Sequence, residues 1–492
     1  MEKIRDTFRT NFDPATIQLI GASLASLMIY IVAFTLPANL FKFYQRTGLD
    51  GHLLQDAGIL GFLRIIAGFV GTGLLYLVAI RAARQTSSSM AWIVVISGTL
   101  LFIIVFLFMA PFDAVDIYDN ISHGRILGIY GANPFHDLIA QFPKDPFFKY
   151  PRWTKSPSAY GPLWETLAGI TAWFAGNGII TNIFAFKILP GLFHIASIAV
   201  IVLYLRNNKP EQALTGAVLL GWNPVVLYET WGNGHNDIVM IFWVLLAALL
   251  INKKHYTLSI LSLVAGVLIK FIPVVLIPAA VWLGYRNLEN LNSRLRFFLR
   301  TSFAALLVTI AAYFPFWSGF ASLSINRRMQ MFTTSIPSVI VKFLKPDLGF
   351  AESARVVSLG ALGLLIIFVL MQTFQTQSQE SSERFLEAAF KILAFYLMVT
   401  CLWFQQWYGV WLVALAALLP ERSRRFAILF GFWVLSKQLI FGPLIVPIMF
   451  HQPQTAIWLE PLLVLSVLGV PWLYILLGFR VPRRMKTINY AT

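Results

Sequence analysis

Residues 91–164 read AWIVVISGTLLFIIVFLFMA and then PFDAVDIYDNISHGRILGIYGANPFHDLIAQFPKDPFFKYPRWTKSPSAYGPLW. The first part is an uncharged apolar run. As a helix rising 1.5 Å per residue, it is long enough to cross a bilayer core of about 30 Å. The second part is the longest polar, aromatic and proline-rich interruption in the chain, and it opens with Asp113, Asp116 and Asp119. An apolar run that gives way at once to a carboxylate-bearing loop implies helices that span a membrane and a loop that carries chemistry.

The rest of the chain agrees. Of 492 residues 58% are hydrophobic and 12% charged, with mean hydropathy +0.71, whereas soluble domains carry about 25% charged residues. Segments of about 10 alternating residues, the mark of a β-barrel, are not seen. The expected fold is therefore an all-α polytopic membrane protein. Apolar runs at roughly 17–37, 59–80, 91–110, 212–229, 236–252, 301–318, 354–374, 425–447 and 456–479, with more complicated stretches at 162–205, 256–285 and 388–420, predict about 12–14 transmembrane segments. They form one integral-membrane domain, 1–492, with no linker or internal repeat. The first run exceeds a signal-peptide core and lacks a small-residue cleavage site, so it is expected to be an uncleaved span. The single cysteine, Cys401, excludes an internal disulfide.

A net charge of +16 invites a nucleic-acid partner, but the basic residues cluster at helix ends, where orientation in a membrane explains them and no nucleic acid is implied. With a cytoplasmic N-terminus, twenty-one Lys and Arg fall on cytoplasmic connections and eleven on the opposite face. That asymmetry puts 111–161 outside the cytoplasm, with 319–353 as a second extracytoplasmic loop. The same sorting requires the chain from Tyr256 to Arg286 to cross an even number of times, as two short helices meeting at Lys270-Phe271-Ile272-Pro273, since proline ends helices. A similar turn is expected at Gln405–Gly409, and a break at Pro190. Short, broken helices leave backbone groups that only protein or a water-filled cavity satisfies, which predicts a cavity open to the outer face.

Three places offer chemistry. Asp113, Asp116 and Asp119, spaced three apart, share one face of a helix. They suit either a divalent cation or one activated carboxylate with two supporting neighbours; the alternative is acidic residues favoured by a helix N-terminus. His123 and Arg125 follow as phosphate contacts, although Arg125 also fits a snorkelling role. His235, Asn236 and Asp237 open the span 236–252, either as helix caps or as sugar-binding groups beside Trp407, Tyr408 and other aromatics. Lys270, at the tip of a broken apolar hairpin, is the best single phosphate contact. Lys437, Lys187 and Arg64 are weaker ones.

Together, Asp116-Ile117-Tyr118, His123-Gly124-Arg125, Gly131-Ala132-Asn133-Pro134-Phe135 and the run Ser156 to Trp164 resemble the first extracytoplasmic loop of the GT-C glycosyltransferases. Asn223-Pro224, Gly234-His235-Asn236-Asp237 and Gln406-Trp407-Tyr408 extend the match over about 90–420. The resemblance is strongest to the polyprenol-phosphate-mannose-dependent α-mannosyltransferases, and it departs from them in the inserted QFPKDPFFKYP. It implies a GT-C-like fold with short interfacial helices in the first long loop, in the plasma membrane of a prokaryote. The implied activity is inverting transfer of a hexose, mannose in this family, from a polyprenyl phosphate to a hydroxyl of a glycan or glycolipid acceptor on the extracytoplasmic side. Asp116 would be the general base, with Asp113 or Asp119 orienting it. Lys270, Arg125, His123 and His235 would meet the donor phosphate, and Asn236, Asp237, Tyr160, Trp407 and Tyr408 the sugar or acceptor. No cofactor is required, while a divalent cation stays open. A flippase for lipid-linked sugars, or a ligase or polymerase using lipid-diphosphate glycans, is the alternative.

Overall fold

A computed structural model describes residues 13–46, 58–111, 116–319, 331–375, 381–441 and 456–478. In chain order the main helices are α1 Pro14–Ile29, α2 Leu40–Arg46, α3 Gly58–Ala83, α4 Ser89–Leu107, α5 Asp116–Gly128, α6 Pro162–Ala175, α7 Ile179–Asn208, α8 Ala213–Gly221 and α9 Pro224–Leu227. They continue as α10 Asp237–Asn252, α11 Tyr256–Val267, α12 Ile277–Arg286, α13 Leu291–Tyr313, α14 Ile336–Phe374, α15 Ser381–Phe395, α16 Gly409–Ala416, α17 Glu421–Val434 and α18 Ala456–Gly478. Among the described residues the β-structure is two isolated bridges, Asn39 to Met109 and Thr333 to Trp403. The fold is all-α and polytopic. Among the described residues, seven helical stretches are long and apolar enough to cross a membrane, and α10, α11 and the Ile272–Arg286 segment are shorter apolar helices.

Local chemistry sets several of the boundaries. Asp13 caps α1 by accepting the Thr16 N–H at 2.6 Å, and Ser88 caps α4 by accepting that of Ala91 at 3.1 Å. Such caps satisfy amides that have no partner within the helix. At the other end of α4, the buried Lys187 ammonium donates to the carbonyls of Phe106, at 3.2 Å, and Met109. Lys187 is therefore a cap inside the protein and not a ligand contact.

The connections that charge sorting assigns to one face touch one another. Arg84 pairs with Glu421 at 2.5 Å and Lys209 with Glu383 at 2.6 Å, while Arg424 donates to Gln212 at 2.6 Å and Ser382 to Asn252 at 3.1 Å. We call this the basic end. At the opposite end, the Gly161 N–H donates to the Ile269 carbonyl at 2.9 Å, the Phe404 N–H to the Thr333 carbonyl at 3.1 Å, and the Thr333 N–H to the Leu402 carbonyl at 3.1 Å.

The segment from Tyr256 to Arg286 is a hairpin, as parity requires. α11 and α12 are joined through a turn and a short 3₁₀ segment at Ile272–Leu276, and Gly284 packs against Cβ of Tyr256, so both outer ends lie side by side. Two expectations are corrected. Pro190 lies within the unbroken α7. Packing holds the helix there: the Trp231 ring lies against the backbone at Gly191, where an added Cβ would come within 2.2 Å of it. The stretch 319–353 is not all loop, because Ser335 and Ser338 cap each other reciprocally and start α14 at Ile336. The chain then turns at Gly349, whose φ of 73° suits glycine.

Candidate active site

The first long loop is built on α5 and α6, which pack in parallel with their backbones in contact. A Cβ added at Gly124 would come within 2.6 Å of the Ala168 carbonyl, and one at Gly128 within 2.1 Å of that of Gly169. Only glycine permits this approach. Trp164 Nε1 donates to the buried Asn120 Oδ1 at 3.1 Å, fixing the register. The pairing brings Asp116, the first residue of α5, to the same end as Gly161 and the α11–α12 turn.

Arg125 points away from that end. Its Nε donates to Asp145 Oδ2 at 2.8 Å, Nη1 to the Gly176 carbonyl at 2.6 Å and Nη2 to Asn177 Oδ1 at 2.9 Å, under the Phe147 ring at 5.2 Å. Asp145 and Phe147 belong to the inserted QFPKDPFFKYP, so the insertion supplies the clamp that buries this guanidinium. The expectation of Arg125 as a phosphate contact is corrected: it is a brace. His123 is also buried, and burial pushes its imidazole down to about 4. It is neutral at physiological pH and carries no charge for a phosphate.

Two of the three aspartates fall within the described residues; Asp113 lies outside them. Asp116 is half-buried, and burial raises its carboxyl to about 6. The charge of Lys270 opposes that rise, Asp237 adds to it, and Arg152 and Lys437 oppose it more weakly. Asp119 is buried, with Oδ1 accepting the Trp153 N–H at 2.9 Å and no partner on Oδ2. Burial, with the charge of Asp116 as a further cause, pushes Asp119 up to about 8. At neutral pH Asp116 is thus mostly a carboxylate and Asp119 an acid. Environments that separate two neighbouring carboxyls in this way distinguish a base from its support. Among the described residues no group of three or more His, Cys, Asp or Glu side chains has metal-ligand geometry.

The second cluster meets the first. Asn236 occupies the N-cap position of α10 without a side-chain capping bond, and its buried Nδ2 has no partner. Asp237 Oδ2 lies 2.7 Å from Lys270 Nζ, and Asp237 Oδ1 accepts Trp411 Nε1 at 2.7 Å. The Lys270 ammonium also lies 5.3 Å from the ring centre of Tyr160 and 5.8 Å from that of Tyr408. His235 stacks on Trp407 with centroids 4.0 Å apart, and its Nε2 is 3.4 Å from Glu229 Oε2. Burial, with Lys270 nearby, holds that imidazole well below its usual range. Burial first, then Asp116 and Asp237, raise the Tyr160 phenol far above its ordinary value.

Asp116, Asp119, Tyr160, His235, Asn236, Asp237, Lys270, Trp407 and Tyr408 thus gather from five separated segments, while Arg125 and His123 turn into the loop's own packing. Lys437 binds the turn after the π-helical Tyr396–Thr400, donating to the Phe404 carbonyl at 2.5 Å and Gln405 Oε1 at 2.7 Å. Sequence reasoning passed over Arg152, an exposed cation near both aspartates. Its one signal was a place in the polar run before Trp153. The arrangement combines a half-buried carboxylate, a lysine held by a second carboxylate, an unpartnered amide and an aromatic wall, which together can deprotonate a hydroxyl and bind an anion and a sugar.

Residues 20–286 match the family model described as "Alpha-(1->6)-mannopyranosyltransferase, N-terminal domain". Among curated proteins, the chain is 24% identical over 188 residues to "Alpha-(1->6)-mannopyranosyltransferase A" of Corynebacterium glutamicum, a match spanning 38% of each chain. It is 22% identical over 373 residues to the protein of that name from Mycobacterium tuberculosis, spanning 70% of this chain and 69% of the relative.

Proposed function

Because the chain belongs to the alpha-(1->6)-mannopyranosyltransferase family, we propose that it is a membrane mannosyltransferase that takes mannose from a polyprenyl-phosphate donor and passes it to a hydroxyl of a glycan or glycolipid acceptor. The site end faces the extracytoplasmic side of the cell membrane, and the bond formed is the α-(1→6) linkage that the relatives' names carry. The observation that carries the reading is Asp116 within electrostatic reach of Lys270, whose ammonium is paired to Asp237 at 2.7 Å beside two tyrosine rings.

A sugar hydroxyl is a poor nucleophile, so its proton must leave as the new bond forms. The acceptor oxygen attacks the anomeric carbon and its proton passes to the Asp116 carboxylate. The bond from the anomeric carbon to the phosphate oxygen breaks, and its electron pair departs on the polyprenyl phosphate. One displacement of this kind inverts the anomeric centre. Negative charge grows on the departing phosphate, where fixed positive charge stabilises the transition state more than the ground state. Lys270 stands on that side of the scheme. Asn236 offers its amide to a sugar hydroxyl, and Trp407 and Tyr408 offer ring faces. The donor is a lipid phosphate, so the chemistry needs no nucleotide-binding fold.

The test is transfer from polyprenyl-phosphate mannose to a mannoside acceptor by the full-length protein in lipid nanodiscs. Wild type is expected to transfer, and Asp116→Asn to lose roughly 10²- to 10⁴-fold in rate with an unchanged circular dichroism spectrum. Transfer by Asp116→Asn at the wild-type rate removes Asp116 from the mechanism.

A further inference from the structure

The donor phosphate requires a cation, and the basic side chains around the site are nearly all committed. Arg125 spends its donors on Asp145, Gly176 and Asn177. Lys187 caps α4, and Lys437 binds the Phe404–Gln405 turn. Lys270 is paired with Asp237. Arg152 differs from all of them. It is exposed, lies within electrostatic reach of both Asp116 and Asp119, and forms no ion pair among the described residues.

Its backbone is nevertheless anchored. The next residue, Trp153, donates its N–H to Asp119 Oδ1 at 2.9 Å, and the Trp153 ring meets Trp403 edge-on at 6.3 Å. The Arg152 guanidinium lies 5.9 Å from the centre of that Trp153 ring. A fixed backbone carrying an uncommitted guanidinium within electrostatic reach of the base is the arrangement that closes on an anion without immobilising it beforehand. We propose that Arg152 grips the phosphate of the lipid-linked donor, with Asp119 as the positioning residue that holds the Arg152-Trp153 backbone in place.

Charge supports the assignment. Lys270 is paired with Asp237, and Arg152 is a cation within electrostatic reach of Asp116 without an ion pair among the described residues, so a phosphate held by Arg152 leaves Asp116 free to act as base. The planar fork of an arginine binds two phosphate oxygens at once, which a lysine cannot do. The inference rests on the donor class proposed above, and its test is read by binding, independently of transfer.

Binding of farnesyl phosphate and of farnesol to the full-length protein in nanodiscs is measured for wild type, Arg152→Ala and Arg152→Lys. Arg152→Ala is expected to weaken farnesyl phosphate roughly 10- to 100-fold, the loss of a charge-assisted pair. Farnesol binding should stay within about twofold and Arg152→Lys should recover part of the loss, as a point charge in place of a fork. Equal weakening of phosphate and alcohol assigns Arg152 to loop packing and overturns the proposal. Unchanged phosphate affinity overturns it too. Absence of mannosyl transfer by wild type would count against the proposed function and leave this binding result to be judged by itself.

Discussion

Asp116 and Asp119 stand one helical turn apart, yet their surroundings give them different protonation. Asp116 must be ionised to accept a proton, and its carboxyl is raised to about 6. kcat/KM for transfer should therefore rise with pH through about 6 and fall below it, since protonation removes the base; kcat/KM reports the free enzyme. Lys270 opposes the rise in Asp116. Lys270→Met should accordingly move this limb to higher pH, and a limb that stays in place would show that Lys270 does not act on the base. The same variant leaves Asp237 buried without its cation, a loss of roughly 3–5 kcal/mol in stability. Asp119 is pushed up to about 8, so it is already neutral where the enzyme would work. Asp119→Asn keeps an acceptor for the Trp153 N–H and should transfer within about threefold of wild type. Asp119→Ala removes that acceptor and should transfer much less, and equal rates for the two would deny Asp119 its positioning role. These residues were legible because each is polar where an apolar run ends. Arg125 was misjudged because a guanidinium in a polar loop looks available until its partners, Asp145 and Gly176–Asn177, are known.

At the scale of elements, α5 and α6 form the site by direct backbone contact. Gly128→Ala places a methyl within 2.1 Å of the Gly169 carbonyl oxygen, so the helices must separate. The expected loss is about 1–3 kcal/mol, with a lower melting temperature and a drop in transfer because Asp116 moves relative to Lys270. A variant as stable and active as wild type would mean that the two helices can part freely. The partner helix of Gly124 and Gly128 lies some forty residues on, and nothing local to the two glycines names it. The α11–α12 hairpin is the opposite case. Charge at Lys253-Lys254 and Arg286 with Pro273 between them sufficed to place both ends together and Lys270 at the tip. Pro190 misled because a proline inside a helix is tolerated where neighbours pack against it, as Trp231 does at Gly191.

The whole molecule is a set of lipid-facing helices around a polar site at one end. On α13, Leu299, Phe303, Leu306 and Ile310 are exposed, as a surface against hydrocarbon requires. The ion pairs Arg84 to Glu421 and Lys209 to Glu383 gather the basic end, and the proposed orientation puts that end in the cytoplasm. Cysteine labelling tests this directly. Starting from Cys401→Ser, which removes the single buried thiol, Lys144→Cys in intact cells should react with a membrane-impermeant maleimide. Lys254→Cys should react after permeabilisation, and the reverse pattern would invert the topology and move the site to the cytoplasm.

By itself, the sequence determined the all-α membrane class, the grouping of connections at two ends, the hairpin with Lys270 at its tip, and the place of Asp116 just beyond an apolar run. These follow from composition, periodicity and charge, which act over a few neighbouring residues or across the bilayer as a whole. The tertiary structure decided which charges are committed: Arg125 to Asp145, Lys187 to the end of α4, Lys270 to Asp237, and Arg152 to none of the described residues. A buried ionic group must find its partner wherever the fold brings one, and those partners lie tens of residues away, where no local pattern reaches.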